Sequence, residues 1–177
     1  MEGFVSSLDV LPLDVNLHKL APSFHCGNVY IDRFLRESTA LDDGFGKTYV
    51  WVNENKSCIL GFYNISVGCI DEIENSTRYR LGGSVHINEF AIDERYRGLY
   101  LADNIRYSDA LLQDCIARAK YIRDNYVGFS FITLQSTKEG HSLYKRNEFE
   151  DLEEDMSVTK GEKENKCQAM YYVFDLE

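Results

Sequence analysis

Proline is nearly absent from this chain, with 2 in 177 residues, and no stretch rich in Pro and Ser divides it. That speaks against a stiff spacer between modules, and the length suits one compact domain over residues 1–177. Apolar runs are short too: none approaches the roughly 18 residues that a spanning helix needs. The start MEGFVSSLDVLPLD has no basic segment followed by an apolar one, so no secretory signal is expected and a cytoplasmic location is. The five cysteines (Cys26, Cys58, Cys69, Cys115, Cys167) are odd in number, scattered and never paired as CxxC. Neither a zinc site nor a redox motif is signalled; reduced thiols packed as small apolar side chains are expected, and no metal. Positive charge is scarce as well, with 19 Lys+Arg against 29 Asp+Glu and a net charge of −10. A protein that grips nucleic acid through its phosphates needs the opposite sign, as does one drawn to anionic membrane.

What is present is core material: 44% hydrophobic and 13% aromatic residues, which excludes a disordered chain. In NVYIDRFLRES (28–38), Ile31, Phe34 and Leu35 fall at helical spacing, with Gly27 or Asn28 as the cap. TYVWVN (48–53) and CILGFYNISVGCI (58–70) read as strands joined by a polar turn, an antiparallel hairpin. Residues 71–82 are polar and end at Gly82-Gly83, which predicts a loop. SVHINEFAI (84–92) is a further strand, and a long helix is expected from about 99 to 122, with Leu101, Ile105, Leu112 and Ile116 on one stripe. Strands at 126–135 and 168–175 flank a short helix at 138–147. The acidic 148–155 stretch begins near a strand signal at Phe149 and then reads as a solvated connection. The order defines an α+β (mixed α/β) domain built around one β-turn-α-β unit over 84–135.

That unit is where a ligand is expected. A strand ends at Ile92, and a helix starting near Gly98 would aim the amide groups of 98–102 and its dipole at the turn. Gly98 allows close approach of a phosphate, and Arg95 and Arg97 add charge. From Arg95 to Arg146 there are nine Lys/Arg against five Asp/Glu, so this segment is +4 and the remainder is −14. An acidic protein thus keeps its basic part where a compact polyanion would sit.

The run FAIDERYRGLYLA (90–102) resembles motif A of the GNAT (Gcn5-related N-acetyltransferase) superfamily, a splayed apolar triplet followed by (Q/R)-x-x-G-x-(G/A). Arg97 takes the Q/R place, Tyr100 the glycine place and Ala102 the last place. The resemblance implies a GNAT fold: a central, mostly antiparallel twisted sheet, a β-turn-α-β cofactor unit and flanking helices. It also implies that backbone from Arg97 through Gly98, Leu99, Tyr100 and Leu101 to Ala102 holds the pyrophosphate of acetyl-CoA, while Phe90, Ala91 and Ile92 pair with its pantetheine arm. Tyr100 departs from the pattern and fits only if its side chain leaves the loop. TKEGHSLYKRNEF (137–149) resembles N-x-x-A-x-x-x-Y-x-x-x-G-F, with Thr137 in the Asn place near the cofactor and Tyr144 as the tyrosine. A phenol with an ordinary pKa near 10 suits protonation of the departing thiolate. FHCGNVYIDRFLRES, KTYVWV and ILGFYNISVG are similar to the branch that holds toxin-type acetyltransferases, so the resemblance covers about residues 20–150.

The resemblance implies an acetyl-CoA-dependent N-acetyltransferase acting on a primary amine of a small molecule or peptide by direct attack. Some family members use a carboxylate or histidine about four residues before the apolar triplet as base, which here is His86; Glu89, acting through water, is the second candidate. The acidic balance favours a cationic acceptor such as a polyamine, an aminoglycoside or a lysine-rich peptide. Two other readings stay open: a toxin of an antitoxin pair that acetylates aminoacyl-tRNA, against which the charge weighs, and a non-catalytic acyl-CoA-binding module. A homodimer is compatible with the family.

Overall fold

Two strands of 16 residues each carry the architecture. The computed structural model describes residues 8–153, 156–158 and 167–174. In chain order the elements are β1 (Val10–Pro12), α1 (Val29–Arg36), β2 (Lys47–Val52), β3 (Ile59–Glu74), β4 (Thr77–Ile92), β5 (Tyr100–Ala102), β6 (Ile105–Arg106) and α2 (Tyr107–Asn125), followed by β7 (Phe131–Ser136), α3 (His141–Lys145), β8 (Glu150–Asp151), β9 (Met156–Val158) and β10 (Gln168–Val173). Short 3-10 turns lie at Leu17–Ser23, Ser38–Leu41, Asp43–Phe45 and Glu94–Tyr96. The chain forms two compact units, one from residues 1–65 and 88–118, the other from 66–87 and 119–177; β3, β4 and α2 each contribute to both.

In the first unit β1 pairs with β2 and β2 with β3, both antiparallel, so the expected hairpin is present. Its core gathers Phe24, Leu35, Val50, Val52, Ile59, Phe62 and Ala91. Helix α1 starts where expected: the Asn28 side chain accepts from the amides of Tyr30 and Ile31, the usual N-cap arrangement. It lays Leu35 into this core, and the Phe34 ring stacks on Phe62 with centroids 6.2 Å apart. Gly61 marks a close approach, since a Cβ there would stand 2.6 Å from Ile92 Cδ1 and 2.9 Å from the Ala91 carbonyl. A buried polar knot also holds the unit. Tyr63 donates to Asp114 Oδ2 (2.7 Å), Arg118 Nε donates to Tyr63 (2.6 Å), and the guanidinium lies 4.0 Å from the Tyr49 ring centre.

In the second unit the outer half of β3 pairs with β9, and β4 pairs in parallel with β7 from Ser84↔Phe131 to Ile87↔Leu134. β7 pairs with β10 and β10 with β8, both antiparallel. An aromatic row, Tyr144, Phe149, Tyr172, Phe174, Phe129, packs ring against ring at 5.4–5.8 Å.

Two expectations are corrected. The loop expected at 71–82 is strand: β3 and β4 run to a two-residue reversal at Asn75-Ser76, both with positive φ (49° and 65°), as a type I′ turn requires. Its polar residues are structural. Asp71, 2% exposed, takes Arg78 (2.7 Å) and Arg80 (3.1 Å) on its two oxygens. Gly82 sits against a ring, where a Cβ would be 2.9 Å from Phe131 Cε2. The second correction concerns the helix expected from 99: α2 begins at Tyr107, and residues 100–106 form the β5–β6 hairpin. Asn104 turns it at φ 63°, and the Tyr107 amide closes it on the Leu99 carbonyl (3.2 Å). Leu101 and Ile105, expected on the buried stripe, are exposed; Leu111, Leu112, Cys115, Ile116 and Ala119 form that stripe.

Candidate active site

The end of β4 brings the cofactor candidates of the first unit together. Ala91 and Ile92 are buried, and Phe90 is partly so. The parallel register with β7 ends at Ile87↔Leu134, five residues before β4 itself ends at Ile92. Beyond β4, Asp93 is 1% exposed and caps the next turn, accepting from the Arg95 amide and holding the Arg95 guanidinium at 2.7 and 2.9 Å. Burial works to raise its pKa, but the bonds from Arg95 and from the His25 amide outweigh it and hold the carboxyl below its ordinary range. Gly98 has φ +74°, and no atom lies within 4 Å of the place a Cβ would take, so its backbone is open to a bulky anion. Tyr100 is exposed, and Arg106 lies over its ring at 5.6 Å.

Within this region the Arg97 side chain has a partner that the motif does not announce. Its guanidinium donates to the Cys26 carbonyl. The amide groups at the start of α2 belong to residues 107–110 rather than 98–102, because the hairpin intervenes.

The two base candidates separate clearly. Glu89 is partly buried, and burial pushes its pKa up to about 7, the range in which a carboxylate takes protons at neutral pH. His86, in the second unit, is 6% exposed, and its Nδ1 lies 2.9 Å from Thr133 Oγ1, its cross-strand partner in the parallel pair. That is the environment of a core histidine.

Tyr144 lies on α3 and is 7% exposed, its ring against Phe149 at 5.6 Å. Gly140 precedes this helix, and a Cβ there would be in ordinary contact with the ring, 3.5 Å from Tyr144 Cε2. Thr137 is occupied in the same turn, its hydroxyl and carbonyl both accepting from the Gly140 amide. His141 bonds Asp151 at 2.7 Å and, with Lys145, holds that carboxyl below its ordinary range.

The basic surplus of 95–146 is largely consumed locally. Arg118 is buried in the Tyr63 knot, Lys120 pairs with Asp124 (3.1 Å), and Lys145 lies 3.6 Å from Asp151. Residues the sequence reading gave no site role, His25, Asp32 and Asp93, prove to be tightly bonded; His25 and Asp32 were visible only as part of the FHCGNVYID motif.

A parallel β4·β7 pair bridged by α2, flanked on both sides by antiparallel strands, is the acetyltransferase architecture that the sequence resemblance implied. No family model matches the sequence, and no curated protein does. Among solved structures, AtaT complexed with acetyl-methionyl-tRNAfMet is similar at TM-score 0.70 and 16% identity, over 93% of this chain and 93% of that one. AtaTR bound with AcCoA is similar at 0.69 and 17% identity over 90% and 91% of the two chains, and the KacTA–DNA complex at 0.68 and 17% over 93% and 91%. The chain has the GNAT fold, in the form seen in toxin-type acetyltransferases.

Proposed function

We propose that this chain is an acetyl-CoA-dependent acetyltransferase whose acceptor is the amino group of an aminoacyl-tRNA. The observation that carries the reading is the end-to-end similarity to AtaT in its complex with acetyl-methionyl-tRNAfMet, covering 93% of both chains. The open backbone at Gly98, with nothing within 4 Å of its Cβ position, supports a place where a diphosphate can approach the turn. The strand end Phe90–Ile92 would face the pantetheine arm, and the turn from Arg97 to Ala102 would face the diphosphate.

Acetyl-CoA supplies the thioester carbon that the amine attacks, with a thiolate as leaving group. An amine is a nucleophile only when uncharged, so a base has to take its proton; Glu89, raised to about 7 by burial, suits that task better than the hydrogen-bonded His86. Tyr144, held by Phe149 and the Gly140 turn, would donate to the leaving sulfur. A small protein partner of the antitoxin kind goes with this reading.

A cationic small amine is the second reading, favoured by the net charge of −10 and by the pairing of the basic segment's side chains. Purified protein, acetyl-CoA and charged total tRNA, with the tRNA analysed for N-acetylated aminoacyl ends, decides between them. Acetylated tRNA ends, and growth arrest on induced expression, are expected. CoA release with polyamines or lysine peptides but not with charged tRNA would overturn the tRNA reading.

A further inference from the structure

The segment His25–Asp32 has no task in the chemistry above, yet it is fastened at several points to the turn that follows β4, some seventy residues away in sequence. The His25 amide donates to Asp93 Oδ2 (3.2 Å), and the Glu94 amide donates to the His25 carbonyl (2.8 Å). The His25 ring bonds Asp32 through Nδ1 and stands 3.4 Å from Glu94 Oε1 through Nε2. Asp32, 2% exposed, also accepts from the Cys26 amide at 2.8 Å, and the Cys26 carbonyl in turn accepts from Arg97. Burial works to raise Asp32, but the bonds from the Cys26 thiol and amide and from His25 outweigh it and hold the carboxyl below its ordinary range. Gly27 completes the seat: it adopts φ +80°, and a Cβ there would stand 3.6 Å from Arg97 Nη2.

The clasp stops where the open backbone begins. Residues up to Arg97 are held by His25, Cys26 and Asp93, Gly98 is unobstructed, and β5 and β6 pair with each other. An anion site made from backbone amides depends on their direction, because the groups cannot reorient the way a lysine can. We propose that Asp32 and Arg97 are positioning residues for the diphosphate end of the acyl donor, acting through His25 and Cys26 to fix the direction in which the Gly98 turn meets it. The inference rests on acetyl-CoA being the donor. Arg97 in this scheme acts on the Cys26 carbonyl and not on a phosphate.

The test is a double-mutant cycle read as the Kd of acetyl-CoA by calorimetry on the full chain, with Asp32→Asn, Arg97→Gln and the double variant. Two residues serving one clasp give non-additive losses. Each single variant is expected to weaken acetyl-CoA about tenfold, the double variant little further, and kcat at saturating acetyl-CoA to change less than about twofold. Unchanged binding in Asp32→Asn, or losses that multiply in the double variant, would overturn the proposal and make Arg97 a direct phosphate contact. Should Asp32→Asn fail to fold, Gly27→Ala decides: the same tenfold loss in a folded protein supports the clasp, and wild-type affinity sinks it. A wild-type protein that binds no acetyl-CoA overturns the donor assignment itself, a result distinct from all of these.

Discussion

His86 Nδ1 lies 2.9 Å from Thr133 Oγ1, and the same hydroxyl is 3.1 Å from Ser84 Oγ. The three side chains cross-link β4 to β7 inside the sheet, and the proposed assignment of the base to Glu89 leaves His86 a structural task. His86→Asn is therefore expected to keep kcat within about threefold of wild type while lowering the melting temperature by several degrees, the ordinary cost of a disturbed buried bond. A collapse of kcat with an unchanged melting temperature would make His86 the base.

Glu89 carries the opposite expectation. Glu89→Gln should reduce kcat on the order of a hundredfold, the usual contribution of a general base. The wild-type rate should rise with pH up to about 7 and then flatten, and the variant should lose that limb. Stability moves the other way. Glu89 has a folded pKa above its unfolded value, so the folded state binds the extra proton between them. Stability then falls as pH rises from the ordinary glutamate range to about 7. Denaturant midpoints for the two proteins should coincide at pH 4 and favour Glu89→Gln at pH 8.

Tyr144→Phe removes one oxygen and leaves the ring against Phe149. The expected result is a fall in kcat of about a hundredfold with acetyl-CoA affinity within about twofold. Single-turnover kinetics would check it, and an unchanged chemical step would reject the proton-donor role.

Tyr63→Phe tests the buried knot. The hydroxyl both donates to Asp114 and receives Arg118, so its loss strips partners from two buried charges. A loss of about 1–3 kcal/mol in a urea titration is expected.

The contrast between legible and illegible elements has a physical source. Asn28 as a cap and the β2–β3 hairpin could be read because capping and alternation are local. Tyr144 and the strand before Asp93 could be read because a motif places them at fixed spacing. The β3–β4 continuation could not: its charged residues resemble loop until Arg78 and Arg80 are seen to meet one carboxylate, Asp71, across the turn. The late start of α2 was hidden for a related reason. Leu101 and Ile105 keep helical spacing with Leu112, so periodicity extended the helix through a hairpin whose turn is signalled only by Asp103-Asn104. The burial that raises Glu89 and the Thr133 partner of His86 could not be read either, because both depend on neighbours that no single sequence displays.

The hairpin that displaces the helix start has its own meaning for how the chain can change. Leu99 and Tyr107 are already hydrogen-bonded across its base, at 3.2 Å. The ends of the excursion therefore meet before it begins. A closed base of this kind lets the hairpin differ in length at little cost to β4 and α2, although Tyr100–Ala102 also belongs to the turn proposed to face the diphosphate. The strand end and the helix start are thus tied to each other directly, and the length of chain between them is not what fixes their spacing.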